Sequence, residues 1–313
     1  MQHGAPVSGK AFAASRVLVT GAAGFLGSYL CRGLHESGAE VHAVSRSDPR
    51  GDAEGVCWLR SSFDDTGEVD RILRTVRPDV VYHLGGYVNA APDITHVLPT
   101  FSSLLASTVH VLARATELGA RRIVLVGSSV EPSEGDVPSS PYAAAKWCGR
   151  IYSRMFHQLY KTPVVVTRPS WTYGPGQRED KIIPYVIASL LRNRAPRLSS
   201  GALAADWIYV DDVIDGLLKA ATVPEAVGEE IDLGTGSLFS IRDVVGQIVD
   251  VLRPSVRPEF GALPERTRER VRPAEVERAW DLLGWRASTS LATGLERTIA
   301  WHRRQLDRRS TPP

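Results

Sequence analysis

The first half of the chain alternates short apolar runs with longer stretches of helical periodicity. A short apolar run between turn residues is typical of a buried strand, and strands that alternate with helices form a parallel sheet with helices on both faces. The pattern therefore predicts an α/β fold with a doubly wound parallel sheet. Predicted strands cover residues 16–20, 40–44, 56–59, 79–84 and 122–126, and predicted helices cover 28–37, 68–76, 104–118 and 142–160.

A glycine-rich turn joins the first predicted strand to the first helix. Residues 20–27 read TGAAGFLG, so three glycines recur at three-residue steps. Gly21 permits a tight turn, Gly24 lets backbone approach a pyrophosphate, and Gly27 lets the helix pack closely on the strand. The helix N-terminus offers free N–H groups to the phosphates. The pattern predicts a dinucleotide site with contacts at Gly21, Ala23, Gly24, Phe25, Leu26 and Gly27.

The end of the second predicted strand indicates which dinucleotide binds. An acidic residue usually stands there and holds the ribose 2′-hydroxyl of NAD. This chain has Ser45 and Arg46 instead. A hydroxyl followed by a guanidinium suits a 2′-phosphate, because Arg offers several donors and a fixed charge. The pattern therefore favours NADP(H), while Asp48 nearby keeps NAD(H) open.

A tyrosine and a lysine form the candidate acid–base pair. Pro141 is well suited to open a helix, and Tyr142 and Lys146 then lie four residues apart on one face. A phenol has an ordinary pKa near 10. A neighbouring ammonium and a helix N-terminus both favour the phenolate, so we expect the pKa of Tyr142 to move toward the working range.

Composition and charge narrow the class of protein. The chain has 313 residues, 43% hydrophobic and 23% charged, with a net charge of +2. These values are ordinary for a globular protein and argue against nucleic acid or a membrane surface as the main partner. Cys31, Cys57 and Cys148 stand far apart, so no disulfide framework or metal site is expected. The first fifteen residues lack a signal-peptide run, and no stretch reads as a bilayer span, so we expect a cytoplasmic protein.

Together these motifs resemble the extended short-chain dehydrogenase/reductases, in the group of nucleotide-sugar epimerases, dehydratases and ketoreductases. The resemblance covers about residues 16–302. It implies a Rossmann-type fold with an NAD(P)-binding domain over residues 1–170, to which 206–233 return, and a smaller C-terminal substrate-binding lobe, mainly 171–313. It rests on the glycine turn, Tyr142 with Lys146, Arg168-Pro169, Tyr173-Gly174-Pro175-Gly176, the stretch DWIYVDDV at 206–213, and Leu283-Gly284-Trp285.

The resemblance also implies roles for individual residues. Ser129 hydrogen-bonds the reacting oxygen of the sugar, Tyr142 exchanges a proton with it, and Lys146 holds the nicotinamide ribose. Glu131 stands where dehydratases often carry an acid–base carboxylate, although some 4-ketoreductases also have a Glu there, so it is a further catalytic candidate. The implied cofactor contacts besides the glycine turn, Ser45 and Arg46 are Leu84, Gly85, Gly86, Lys146, Pro169 and Ser170.

The chain departs from the family pattern at the substrate site. Trp171 lies in the region where many relatives have an Asn, and Ala205 stands where many have an Arg that contacts a substrate phosphate. Ser62 stands where an adenine-binding Asp is common, with Asp64 close by. We therefore name Trp171, Arg178, Lys181 and Arg266, with Ser129, as candidate substrate contacts.

These observations favour NADP(H)-dependent reduction of a keto group on a nucleotide-linked deoxysugar. The alternative is an epimerase or dehydratase that recycles its cofactor. A catalytically silent NADP-binding regulator is the third hypothesis, and the presence of Ser129, Tyr142 and Lys146 argues against it. The resemblance further implies a homodimer formed through the helices at 104–118 and 142–160.

Overall fold

Seven of the apolar runs form one parallel sheet in a computed structural model of the chain. The structure describes residues 11–46, 55–63, 65–133, 135–265 and 272–310. The strands of this sheet are β1 (Arg16–Thr20), β2 (Glu40–Ser45), β3 (Val56–Arg60), β4 (Val80–His83), β5 (Arg122–Val126), β6 (Val164–Pro169) and β9 (Glu230–Leu233). Three further strands, β7 (Trp171–Tyr173), β8 (Ala204–Tyr209) and β10 (Leu238–Ser240), form a small second sheet.

Helices connect these strands and extend into the C-terminal part. They are α1 (Phe25–Glu36), α2 (Thr66–Val76), α3 (Val97–Thr100), α4 (Ser107–Glu117), α5 (Pro141–Tyr160), α6 (Ile182–Leu191), α7 (Val210–Thr222), α8 (Ile241–Leu252), α9 (Val276–Leu283) and α10 (Leu291–Ser310).

The strand order of the large sheet is β3-β2-β1-β4-β5-β6-β9, and every pairing in it is parallel. The chain builds outward from β1 in one direction through β2 and β3, then returns to β4 on the other side. This reversal leaves a crevice at the carboxyl ends of β1 and β4, where doubly wound sheets bind their ligands. The doubly wound parallel sheet predicted from the sequence is confirmed.

Alternate side chains of the strands pack into two separate cores. Val17 and Val19 of β1 belong to the core that α1 and α7 cover, whereas Leu18 belongs to the core that α2, α4 and α5 cover. Successive side chains of a strand point to opposite faces, so a strand buried on both faces is apolar throughout. This explains why the predicted strands read as continuous apolar runs rather than as alternating ones.

The predicted element boundaries differ little from the observed ones, except in the helix before β5. The prediction of 104–118 is too short, because the helical segment runs continuously over Ile94–Glu117 through a 3-10 turn, α3, a π-helical turn and α4. By length and composition alone this segment is apolar enough to cross a membrane, which we did not expect. Its α4 part packs on the sheet through Val111 and Leu112, as core helices of globular proteins do.

The segment 206–233 contributes to both sheets. Its α7 packs beside α1, and its β9 pairs with β6 at the edge of the large sheet. In contrast, β8 pairs with β7 and β10 in the small sheet, next to the helices of the C-terminal part. The division into a cofactor domain and a substrate lobe remains a prediction from the sequence.

We predict that Gly27→Ala lowers the free energy of unfolding by about 1–3 kcal/mol, as overpacking does. A Cβ on Gly27 would lie 2.2 Å from the Gly21 carbonyl oxygen and 2.7 Å from the Ala22 Cα, and both are backbone atoms of the tight turn. Gly246→Ala is the matched control, because nothing lies within 4 Å of its added Cβ in the middle of α8. That change should raise stability by up to about 1 kcal/mol, since Ala is the better helix former. Urea unfolding of both variants checks this, and equal effects would contradict the packing argument.

Candidate active site

The glycine turn after β1 touches the chain after β4 through backbone atoms. Gly21 has φ +69°, and a Cβ on it would lie 2.8 Å from the Cα of Gly85. No residue with a side chain fits this approach. The predicted cofactor residues Gly21 and Gly85 are therefore neighbours at the crevice between β1 and β4. Gly86, with φ +144°, packs its Cα against Leu104, and Leu84 is half-buried beside it.

The helix that follows this turn leaves its N-terminus open. Gly24 is the N-cap of α1 and makes no side-chain capping bond, and no acidic residue stands in the first turn. Gly24 is exposed, and Ala23, Phe25 and Leu26 around it are half-buried. Because the first N–H groups of a helix have no intrahelical acceptor, this end suits an anion such as a pyrophosphate. The predicted dinucleotide cradle fits this geometry.

A buried histidine is hydrogen-bonded to the residue that precedes the glycine turn. The Thr20 hydroxyl lies 2.8 Å from Nδ1 of His83 and accepts a hydrogen bond from the Gly85 N–H at 3.1 Å. The Ser107 hydroxyl lies 3.4 Å from the other ring nitrogen. Burial, with a smaller contribution from the charge of Lys146, lowers the pKa of His83 to about 3. His83 is therefore a neutral, hydrogen-bonded support of the β1 and β4 ends.

The residues expected to determine whether NADP(H) or NAD(H) binds lie at the end of β2. Ser45 is buried, and Arg46 directly after it is exposed. Asp48, the residue that kept NAD(H) open, lies outside the described residues, as does Asp64. Ser62 is exposed after β3.

The candidate acid–base pair lies at the start of α5. Ser140 caps this helix by accepting the Ala143 N–H at 3.2 Å, and Pro141 takes the first position, as the sequence predicts. The Lys146 ammonium donates to the Val126 carbonyl oxygen at 2.6 Å. This bond fixes the side chain of Lys146 at the end of β5, one turn along the helix from Tyr142.

The hydroxyl that hydrogen-bonds Tyr142 is that of Ser128, which the sequence analysis did not single out. Ser129, which is predicted to hydrogen-bond the reacting oxygen of the sugar, is half-buried, and its N–H donates to the Pro169 carbonyl at 3.2 Å. The pair Ser128-Ser129 at a strand end was a visible signal, but the sequence could not tell which hydroxyl turns toward the phenol. Pro169 and Ser129 are thereby joined, and Ser170 beside them is buried, its N–H donating to the Leu233 carbonyl.

The expected lowering of the Tyr142 pKa does not occur in this structure. Burial raises the pKa of Tyr142 to about 12, and the hydrogen bond from Ser128 opposes this only in part. Burial also lowers the pKa of Lys146 to about 8. The physical reason is that loss of water around both groups disfavours their charged forms, and Lys146 directs its ammonium to Val126 rather than to the phenol.

Glu131, the further catalytic candidate, is buried among charged partners. One carboxylate oxygen accepts the Ser128 N–H at 2.8 Å, and the other lies 3.0 Å from Nε of Arg150. Its side chain is 2% exposed. The carboxylate therefore faces the inside of the loop that carries both serines.

The candidate substrate contacts are spread over the C-terminal part. Trp171 is half-buried and packs edge-on against Trp207, with ring centroids 5.1 Å apart. Arg178 is exposed and pairs with Asp180 at 3.0 Å, and Lys181 is exposed at the N-cap of α6. Arg266 lies outside the described residues. Within the described ranges, no hydrogen bond or ion pair connects Trp171, Arg178 or Lys181 to Ser129 or Tyr142.

Two buried aspartates, which the sequence analysis gave no role, organise the loops after β9. Asp206 accepts the N–H groups of Thr235, Gly236 and Ala274 at 2.8–3.0 Å. Asp232 pairs with Arg168 at 2.7 Å and with Arg272 at 2.8 Å. A carboxylate within an otherwise apolar strand was the available signal, since buried charges are paired. In the part of the chain that the structure describes, no three His, Cys, Asp or Glu residues are grouped to hold a metal ion.

Comparison with known proteins agrees with this geometry. The model of the NAD dependent epimerase/dehydratase family matches residues 17–234, which is more than half of the chain. The chain belongs to this family. The resemblance to nucleotide-sugar enzymes of the extended short-chain dehydrogenase/reductase type is thereby confirmed.

Individual members of the NAD dependent epimerase/dehydratase family resemble the chain over nearly its whole length. UDP-glucose 4-epimerase of Mycolicibacterium smegmatis is 29% identical, over 92% of this chain and 98% of that protein. A probable dTDP-glucose 4,6-dehydratase of Sinorhizobium fredii is also 29% identical, over 92% of each. Among solved structures, MoeE5 in complex with UDP-glucose and NAD is 30% identical and superposes with a TM-score of 0.81, over 93% of this chain and 99% of that one.

Burial raises the pKa of Cys31 to about 12, so Cys31 lowers the stability of the folded state as the pH rises above about 9. Against this background, we predict that Lys146 contributes a rise in stability with pH between about 8 and 10.5. Its pKa in the folded state is about 8, below the ordinary value. Over that interval the unfolded chain binds the extra proton, so each step up in pH favours the folded state, by up to about 3 kcal/mol in all. Lys146→Met should remove this rise, whereas Lys161→Met, at the exposed end of α5, should keep it. Urea unfolding across this range is the measurement, and identical slopes in the wild type and Lys146→Met would contradict it.

Proposed function

We propose that this protein binds a nicotinamide dinucleotide and catalyses hydride transfer at a carbon of a nucleotide-linked sugar. The observation that carries the proposal is that Tyr142, Lys146 and the serine pair lie together at the carboxyl end of β5. The glycine turn lies at the same end of the parallel strands. Relatives named as nucleotide-sugar epimerases and dehydratases, and one bound to UDP-glucose and NAD, support the substrate class.

The cofactor contacts in this proposal are the glycine turn, the end of β2, Leu84 to Gly86, Lys146, Pro169 and Ser170. The nicotinamide, when bound, supplies the hydride or accepts it. The remaining chemistry belongs to the protein. Tyr142 gives a proton from its hydroxyl to the sugar oxygen as negative charge develops there, and Ser129 donates a hydrogen bond to that oxygen. Burial keeps Tyr142 protonated until that moment, which suits a proton donor.

For the reaction class we propose reduction of a keto group with NADPH. Ser45 and Arg46 at the end of β2 support the cofactor choice, since an exposed guanidinium is available to a 2′-phosphate. The burial of Glu131 against Arg150 argues against a dehydratase that uses this carboxylate on the sugar. The second candidate is an epimerase with retained NAD, favoured by the likeness to UDP-glucose 4-epimerase and to the NAD-bound MoeE5.

The proposed substrate contacts are Ser129, Trp171, Arg178, Lys181 and Arg266. Trp171 offers a half-buried apolar face to a sugar or base. Ala205 is fully buried in β8 and brings no charge, so a diphosphate needs cations from elsewhere. The exposed Arg178 and Lys181 between β7 and α6 carry such charges.

We further propose that the protein is a cytoplasmic homodimer. Apolar side chains are exposed along the segment before α4 and along α5, among them Ile94 at 81%, Leu98 at 75% and Phe101 at 54%. Ile94 and Phe101 line a cavity of about 590 Å³, and Ile151 and Tyr152 of α5 are exposed as well. A surface of this kind is typical of a subunit interface.

We predict that Tyr142→Phe lowers kcat by roughly 10²-fold or more, the scale of lost general acid catalysis, and leaves cofactor binding nearly unchanged. Tyr152→Phe is the control, because Tyr152 is on the same helix but 40% exposed. Steady-state turnover of a 4-keto-6-deoxy nucleotide sugar and a cofactor titration are the measurements. Near-normal turnover in Tyr142→Phe would exclude Tyr142 as the proton donor.

We also predict that one NADPH is oxidised for each sugar reduced, because the carbonyl gains one hydride and one proton. Absorbance of the reduced nicotinamide should fall in step with product. Product without any net change in absorbance would favour the epimerase over the reductase. Absence of turnover with intact cofactor binding would instead favour the silent regulator.

NADPH should bind more tightly than NADH, and Arg46→Ala should remove most of that difference. Arg121→Ala should not, because Arg121 directly precedes β5, at the amino end of that strand, whereas Arg46 follows the carboxyl end of β2.

A further inference from the structure

The loop between β5 and α5 is held from inside by one buried carboxylate. Glu131 accepts the Ser128 N–H on one oxygen at 2.8 Å and lies 3.0 Å from Nε of Arg150 with the other. A Cβ at Gly127 would lie 2.4 Å from the first of these oxygens, so only glycine admits the carboxylate there. The turn that presents Ser128 and Ser129 is therefore closed around Glu131.

The same loop is tied to the sheet by its own backbone. The Gly127 N–H donates to the Thr167 carbonyl at 2.7 Å, and the Ser129 N–H donates to the Pro169 carbonyl at 3.2 Å. These bonds hold Gly127 and Ser129, on either side of Ser128, against β6. Between them, the Ser128 N–H donates to the Glu131 carboxylate.

Arg150 connects this carboxylate to the helix that carries the acid–base pair. Tyr142, Lys146 and Arg150 follow one another at four-residue steps and so lie along one side of α5. Arg150 is 12% exposed and also pairs with Glu230 of β9 at 2.8 Å. We call residues 127–131, which follow β5, the serine loop. The guanidinium thereby joins three elements: the serine loop, α5 and the edge strand β9 of the large sheet.

We propose that Glu131 is a positioning residue that acts through Arg150 to hold the Ser128 and Ser129 hydroxyls in register with Tyr142. The inference rests on the proposed function, and it assigns the proton transfer to Tyr142 alone. One oxygen of Glu131 accepts the Ser128 N–H, and the other lies 3.0 Å from Nε of Arg150 as an ion pair without hydrogen-bond geometry, so the carboxylate is turned toward these protein groups.

The electrostatics of the loop agree with this arrangement. Burial raises the pKa of Glu131, as it would for an acid–base catalyst. The Ser128 N–H and the charges of Arg150, Arg168 and Lys146 act in the opposite direction and favour the carboxylate. Geometry rather than the direction of the shift therefore separates the two roles.

A double-mutant cycle tests the positioning role. Glu131→Gln and Arg150→Gln should each lower kcat about tenfold, and the double variant should lose no more than either single one, because each change breaks the same link. Glu230→Gln is the matched control, since it removes the other carboxylate of Arg150 without touching the serine loop. It should leave kcat within about twofold of the wild type.

The pH profile of kcat provides a readout that a general loss of stability would not move. The acid and the alkaline limb of this profile should both persist in Glu131→Gln, with a lower maximal kcat. An acid–base role would instead remove one limb, cost roughly 10²-fold or more in Glu131→Gln, and add to the effect of Arg150→Gln. Any of these three results would overturn the inference.

Hydrogen exchange of the backbone tests the same link without a substrate. Amide exchange in residues 127–131 should accelerate at least tenfold in Glu131→Ala and in Arg150→Gln, and should not change in Glu230→Gln. Unchanged exchange in the first two variants would overturn the positioning role whatever the activity. If the wild-type protein turns over no nucleotide sugar but exchange still accelerates in the two variants, the result would support the positioning of the loop and reject the proposed function.

Discussion

The close contact of two backbone segments at the centre of the sheet is the constraint on which the rest of the structure depends. Gly21 and Gly85 meet at a distance that excludes a side chain on Gly21, and Gly27 presses α1 against the same turn. This contact brings the carboxyl ends of β1 and β4 together and leaves the N-terminus of α1 facing the crevice. A dinucleotide cradle is the direct consequence, because free N–H groups and accessible backbone coincide at one point.

Buried carboxylates join separate elements elsewhere in the fold. Asp206 gathers backbone N–H groups from two loops, and Asp232 joins β9 to Arg168 and Arg272. Glu131 does the same for the serine loop. Removing one partner of a buried pair leaves an uncompensated charge, which is strongly destabilising. Asp206 and Asp232 therefore hold separate elements of the fold together.

Much of this architecture could be predicted from the sequence. The continuous apolar runs predicted a parallel sheet buried on both faces, and the glycine spacing predicted the turn after β1. Pro141 marked the start of α5, so the shared face of Tyr142 and Lys146 followed from helical periodicity alone. These predictions succeeded because they depend on local geometry: side-chain alternation, the conformational freedom of glycine and the 3.6-residue repeat. The membership of the chain in its family followed from the same motifs.

Other properties depended on groups distant in sequence that only the tertiary structure brings together. The sequence placed Lys146 beside Tyr142, but the fold directs the ammonium to the Val126 carbonyl, and burial then moves the pKa of both groups toward their neutral forms. It offered two adjacent serines, and the packing of the loop decided that Ser128 meets the phenol. Glu131 is a catalytic candidate in the sequence, and only the fold shows that Arg150 and the Ser128 N–H lie against its carboxylate. Local patterns determine which residues a turn or helix carries, whereas hydrogen-bond partners and loss of water are set by what packs against it, and that is decided only in the folded chain.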